Sequence, residues 1–215
     1  RAAYLGVALA GTYFFLFYPK SMKKAKTIAS IILILVALGI LYVSLTPKLP
    51  SFIENNKRIS FIAQRISIEK IFAALGQTRF SGWQTFSKAV VEKPIFGWGV
   101  ENQAVAFDKY YDPNLDYLVR LGANWWDRAH NIFLDLSISY GIPFLIIYLF
   151  FFGYIFWRLQ KNKLIQPEKR MASHAVQSVL IAYFTALFFG FDSVTTYLTL
   201  FFIVGYSLYL IHQIP

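Results

Sequence analysis

Apolar residues fall into five runs, at 4–18, 27–46, 132–157, 173–191 and 194–212, and the stretch from 48 to 128 is polar. About 20 apolar residues carry a helix across the ~30 Å hydrocarbon core of a bilayer, so each run predicts a membrane helix. The first is short because the chain opens inside it, at Arg1 and without Met, as a piece of a longer protein would. The second is rich in Ile, Leu and Val and is closed by Pro47. Only Asp192 and Ser193 separate the last two, which predicts a tight helical hairpin.

The polar stretch has helical patterning of its own. In 59–75, Ile62, Ile66 and Phe72 accompany Arg65, Glu69 and Lys70, the pattern of an amphipathic helix. A second helix is predicted over 82–93, with Trp83, Phe86 and Val90 on one face and Pro94 as its stop. Two readings fit these helices: they lie in the membrane interface, or they pack on the outer ends of the membrane helices. Residues 97–126, rich in Gly, Asn, Asp, Tyr and Trp, read as an irregular loop.

Composition settles the class. Hydrophobic residues make up 57% of the 215 and charged residues only 15%, with a mean hydropathy of +0.48, whereas soluble domains are about a quarter charged. The net charge of +10 is explained by short basic clusters beside apolar runs, so membrane topology accounts for it and nucleic-acid binding is excluded. Lys20, Lys23, Lys24 and Lys26 form one cluster; Arg158, Lys161, Lys163, Lys169 and Arg170 form the other, against Glu168 alone. Both loops are expected in the cytoplasm, which puts the long polar stretch outside. With no cysteine there is no disulfide framework and no thiolate nucleophile.

The expectation is an all-α polytopic membrane protein of about five transmembrane helices with a large extracytoplasmic helical loop. Residues 1–47 would hold two transmembrane helices and a cytoplasmic basic loop, 48–130 the outer loop, and 131–215 three transmembrane helices.

Chemistry concentrates where the outer loop re-enters the membrane, at Trp125-Trp126-Asp127-Arg128-Ala129-His130-Asn131. His130 is the one outward histidine; His174 and His212 map to cytoplasmic helix ends. An imidazole takes up a proton near neutral pH, although histidine beside aromatics is also common at membrane boundaries. Arg1, Arg79 and Arg128 fall on the outer side, and planar guanidinium groups suit a lipid pyrophosphate because they bind two oxygens at once. Solvent or headgroup contact accounts equally for Arg79 and better for Arg58 and Arg65. Asp108, Asp112, Asp116 and Asp127 match no calcium-loop spacing, so no metal is expected. Gly97-Trp98-Gly99 reads as a turn, not a phosphate loop.

These residues resemble the O-antigen ligase and polymerase superfamily. His130-Asn131, nine residues and Gly141 is similar to the ligase pattern of His-Asn, nine positions and Gly-x-x-Gly. Arg79 with Trp83, followed by Pro94-Ile95-Phe96-Gly97-Trp98-Gly99, resembles the family's stretch of Arg, Trp and Pro-x-x-Gly-x-Gly, and Arg1 resembles its Ser-Arg helix start. Phe144 stands where the pattern has its second glycine, and Pro143 removes a helical hydrogen bond to the Ser139 carbonyl. That predicts a short outer helix carrying His130 and a membrane helix starting near Ile142.

The resemblance implies an inverting glycosyltransferase that takes a glycan from undecaprenyl pyrophosphate to an acceptor hydroxyl on a lipid, protein or glycan, with no cofactor, nucleotide sugar or metal. It implies that Arg79 and Arg1 hold the pyrophosphate and that His130 accepts the hydroxyl proton. Arg128, Asp127 and Asn131 would contact the donor or orient His130. The aromatics Tyr110, Tyr111, Trp125 and Trp126 would face sugar rings or form an interfacial belt. The alternatives are a polymerase of the same superfamily, a transporter of lipid-linked sugars, which calls for polar residues at mid-membrane depth, and a non-enzymatic scaffold.

Overall fold

The computed structural model describes residues 2–18, positions scattered between 24 and 38, 78–112 and 126–212. Its elements are α1 (Ala2–Phe17), α2 (Thr78–Glu92), α3 (Gln103–Lys109), α4 (Ile132–Tyr140), α5 (Ile142–Ile165), a 3-10 turn (Pro167–Lys169), α6 (Arg170–Phe188) and α7 (Val194–His212). The described residues contain no strand. Three stretches among them are long and apolar enough to cross a bilayer: Ile142–Asn162, Pro167–Phe188 and Val194–His212. Helix α1 is apolar but has only 16 residues. The span expected at 27–46 and the amphipathic helix expected at 59–75 lie wholly or largely outside the described residues.

The spans pack through an apolar core that includes Phe152, Ile155 and Leu159 of α5, Val176, Leu180 and Leu187 of α6, and Leu200 and Leu210 of α7. Their opposite faces are bare: Phe150 is 75% exposed and Phe202 is 79% exposed. Such surfaces belong against lipid, where every backbone polar group must already be satisfied within the helix. Helix α1 approaches α6 closely at Gly6, where a Cβ would meet the Ala182 carbonyl at 2.6 Å. His174 is fully buried there, 3.0 Å from the Phe14 carbonyl and ringed by Tyr13, Phe14 and Tyr18. It therefore fastens α1 to α6 instead of lying free at a helix end.

A second, separate core caps one end of the bundle, opposite the basic cluster that runs from the last turns of α5 into the start of α6. It joins Phe86 and Ala89 of α2, Ala106 and Phe107 of α3, Trp126 and Ala129 of the re-entry loop, and Ile138 of α4. Helix α3 lies inside 97–126, which the sequence presents as irregular. Seven residues do not make a stable helix alone, and buried Ala106 and Phe107 are what hold it.

The break predicted near Pro143 is present, and α5 begins at Ile142 with Pro143 in its first turn. The hinge itself is Gly141, at φ 88° and ψ 168°, a conformation open essentially to glycine alone. His130 is not carried by the outer helix, as expected, but stands in the loop before it. Asn131 is the N-cap of α4, its side-chain oxygen accepting from the N–H groups of Phe133 at 3.0 Å and Leu134 at 3.3 Å.

Candidate functional site

The loop 126–131 is built from its neighbours inward. The Trp126 ring lies against α2, where a Cβ on Gly82 would meet it at 2.6 Å, and stacks at 6.4 Å on Phe107. Ala129, fully buried, is gripped on both sides of its backbone. Its carbonyl accepts from Trp83 Nε1 of α2 at 2.8 Å, and its N–H donates to Asp135 Oδ1 of α4 at 2.8 Å.

The next residue, His130, sits at φ 54°. The left-handed region is uncommon outside glycine, though His, Asn and Asp enter it more than most, and holding it costs of order 1–3 kcal/mol. His130 Nδ1 is 3.0 Å from the Arg128 carbonyl. A carbonyl only accepts, so Nδ1 is the donor, and in the neutral imidazole the lone pair then lies on Nε2. The ring packs between Trp126 at 5.2 Å and Phe191 at 5.1 Å.

Arg79 lies in the first turn of α2, which begins four residues before the predicted start. Its guanidinium carbon is 5.9 Å from the centre of the Phe189 ring. Phe189 and Phe191 belong to the turn between α6 and α7, so that turn touches Arg79 through one ring and His130 through the other. Trp83, one helical turn beyond Arg79, packs on Phe188 and Phe189. Arg79 and His130 are thus gathered at the same end of the bundle, around the hairpin turn that the sequence predicts at Asp192 and Ser193.

The other sequence-predicted residues are placed differently. Arg128 is paired with Glu101, one guanidinium nitrogen lying 2.8 Å and 2.9 Å from the two carboxylate oxygens, and it covers the Phe191 ring at 5.7 Å. Asp127 is exposed, and the Asn131 carboxamide caps α4 as above. Tyr110 donates its hydroxyl to Glu92, which also pairs with Lys109 at 2.6 Å. Arg1 and Trp125 lie outside the described residues.

The stretch Pro94-Ile95-Phe96-Gly97-Trp98-Gly99 is a latch on the far end of α4. The N–H groups of Trp98 and Gly99 donate to the carbonyls of Ile138 at 2.6 Å and Ser139 at 3.2 Å, and the Ile142 N–H donates to the Pro94 carbonyl at 2.7 Å. Gly97, at φ 67°, and Gly141 permit this contact: a Cβ on either would collide with backbone, at Ile138 and Ile95 respectively.

The sequence puts Trp83 on a helix face and in the stretch shared with Arg79 but gives no sign that its indole N–H anchors the loop, and it does not single out Asp135, which is 6% exposed. Burial pushes the Asp135 carboxyl up to about 7, against the opposing pull of the Ala129 N–H, of Arg128 and of the Asn131 backbone. The signal for it is in the chain: an acid five positions after His130, within an apolar run, is costly without a task.

The O-antigen ligase family model matches residues 1–149, which include Arg79, the 94–99 latch, His130 and Asp135. No curated protein and no solved structure matches the chain.

Proposed function

The chain belongs to the O-antigen ligase family, and from that premise we propose that it transfers a glycan from undecaprenyl pyrophosphate to an acceptor hydroxyl at the extracytoplasmic face of the inner membrane. The observation that carries this reading is the contact of His130 Nδ1 with the Arg128 carbonyl at 3.0 Å: with Nδ1–H donated there, the neutral imidazole has Nε2 to receive a proton.

In the proposed step the acceptor oxygen attacks the anomeric carbon from the face opposite the pyrophosphate. The new C–O bond forms as the bond to the leaving phosphate oxygen breaks, and the anomeric configuration inverts. The hydroxyl proton passes to His130 Nε2, and the imidazolium so formed keeps its Nδ1–H bond. The pyrophosphate leaves with the electron pair, its growing charge met by Arg79 and by Arg1. A ligase and a polymerase share this chemistry and differ in the acceptor.

An apolar groove of about 380 Å³ supports a lipid-borne donor. It runs between α5 and α6 past Gly153 and Leu180, and reaches Phe133 in the first turn of α4. A prenyl chain laid there would bring its pyrophosphate toward the Arg79 and His130 end.

The test is transfer in membranes by His130→Ala and Arg79→Ala in the full-length protein. Loss of a general base costs about 10²–10⁴-fold, and loss of one oxyanion-type donor about 10²–10³-fold in kcat, with membrane levels unchanged. Near-normal surface glycan in either variant would remove that residue from the mechanism. Sidedness is tested by cysteine accessibility, since residues 1–215 contain no cysteine. Asp127→Cys is expected to react with an impermeant maleimide in intact cells, and Lys161→Cys only after permeabilisation.

A further inference from the structure

We propose that Asp135 is the positioning residue that holds His130 in its reactive pose, a role that rests on the reading of His130 as the base. Four observations carry it. Asp135 is 6% exposed on α4, outside the three spans. Its Oδ1 receives the Ala129 N–H at 2.8 Å. Ala129 is fully buried, so that N–H has no recourse to water. The residue after Ala129 is His130, in the left-handed conformation.

Helix capping does not account for the bond. The N-cap is Asn131, which already serves the N–H groups of Phe133 and Leu134. A capping box returns from the third helical residue to the N-cap itself; Asp135 is the fourth, and although the backbone of the cap, Asn131, also bears on its carboxyl, its 2.8 Å bond reaches past the cap to the residue before His130. A favourable interaction with the helix dipole would need no burial and no such reach. Together with Trp83 on the carbonyl side, Asp135 fixes the peptide from which the imidazole is suspended.

The role belongs to the acceptor oxygen and not to the charge. The carboxyl of Asp135, pushed up to about 7 by burial, offers an oxygen to Ala129 whether it is ionised or neutral. Its Oδ2 is buried and has no partner among the described residues. A carboxamide therefore keeps the function, and an apolar side chain of similar size loses it.

The experiment uses the full-length protein reconstituted in liposomes, with a polyprenyl-pyrophosphate-linked glycan as donor. Asp135→Leu is expected to lower kcat about 100-fold with the donor KM changed by less than about 3-fold, the signature of a group that acts in the transition state. Asp135→Asn is expected to restore kcat to within about 5-fold of wild type. In a His130→Ala background, Asp135→Leu should add less than about 2-fold to the loss, because a residue acting through His130 has nothing left to position.

Three results overturn the inference: wild-type kcat in Asp135→Leu, equal loss in Asp135→Asn, or full additivity with His130→Ala. If Asp135→Leu fails to accumulate, Asp135→Asn decides alone, and its inactivity at normal membrane level is fatal. Full transfer by His130→Ala would instead sink the functional reading beneath, and the two failures are told apart by that variant.

Discussion

Gly141→Ala is expected to disable the protein, and the structure says by how much. At φ 88° and ψ 168° an alanine meets a backbone cost of about 1–3 kcal/mol. Its Cβ would also run into the Ile95 carbonyl, so the 94–99 latch must retreat. Retreat breaks the bonds from Trp98 to Ile138 and from Ile142 to Pro94, each worth about 0.5–1.5 kcal/mol. The total is of order 2–6 kcal/mol, a large share of the 5–15 kcal/mol that holds a typical domain. The control is Gly153→Ala, in the middle of α5, where a Cβ meets nothing within 4 Å and alanine favours the helix by about 1 kcal/mol. Thermal unfolding of the two variants in detergent, followed by size-exclusion of a fluorescent fusion, makes the comparison. Gly141→Ala should melt well below wild type, with Gly153→Ala equal or above. Equal melting of Gly141→Ala and wild type would refute the latch.

Two further outcomes follow from the re-entry loop. Trp83→Phe keeps the ring but removes the N–H that serves the buried Ala129 carbonyl, so it should cost about 1–3 kcal/mol in the same melting assay; an unchanged melting temperature would show that the bond is idle. The carboxyl of Asp135 rises from 3.8 to about 7 on folding, so its neutral form is favoured in the folded state. The stability it contributes is present below pH ~4 and lost as pH rises through ~7, on the order of 4 kcal/mol at full effect. Arg128, Asp127 and Tyr197 are the charged or titratable groups that act on it or feel it. Asp135→Asn, which does not titrate, should gain on wild type across that window, and parallel pH curves for the two would contradict the burial.

Much of the layout was legible in the chain because it is local. Asp192 and Ser193 marked the turn between α6 and α7, Pro94 the end of α2, and Pro143 the start of α5. The site was legible in part. His130 and Arg79 stand out by residue type and meet around one turn, but the rings that join them, Phe189 and Phe191, look in sequence like any apolar pair. Helix α3 was hidden because its stability comes from burying Phe107, a tertiary event. In sequence His174 looks like a residue at a helix end, because nothing local announces that Tyr13, Phe14 and Tyr18 close over it. Asn131 is similar to a family motif, yet its visible work is to cap α4, which orients the segment that begins just after His130. The backbone bonds of Ala129 could not be read at all, since a main-chain contact leaves no mark on the residue that makes it.

That last point bears on how the protein can vary. Ala129 is fastened by its amide and carbonyl, never by its methyl group, so what its fully enclosed site demands of the side chain is that it be small and without a polar group to strand. Proline, which deletes the N–H, is the substitution it cannot absorb. Drift at this position is therefore constrained by bulk and by ring closure, even though it adjoins the proposed base, His130.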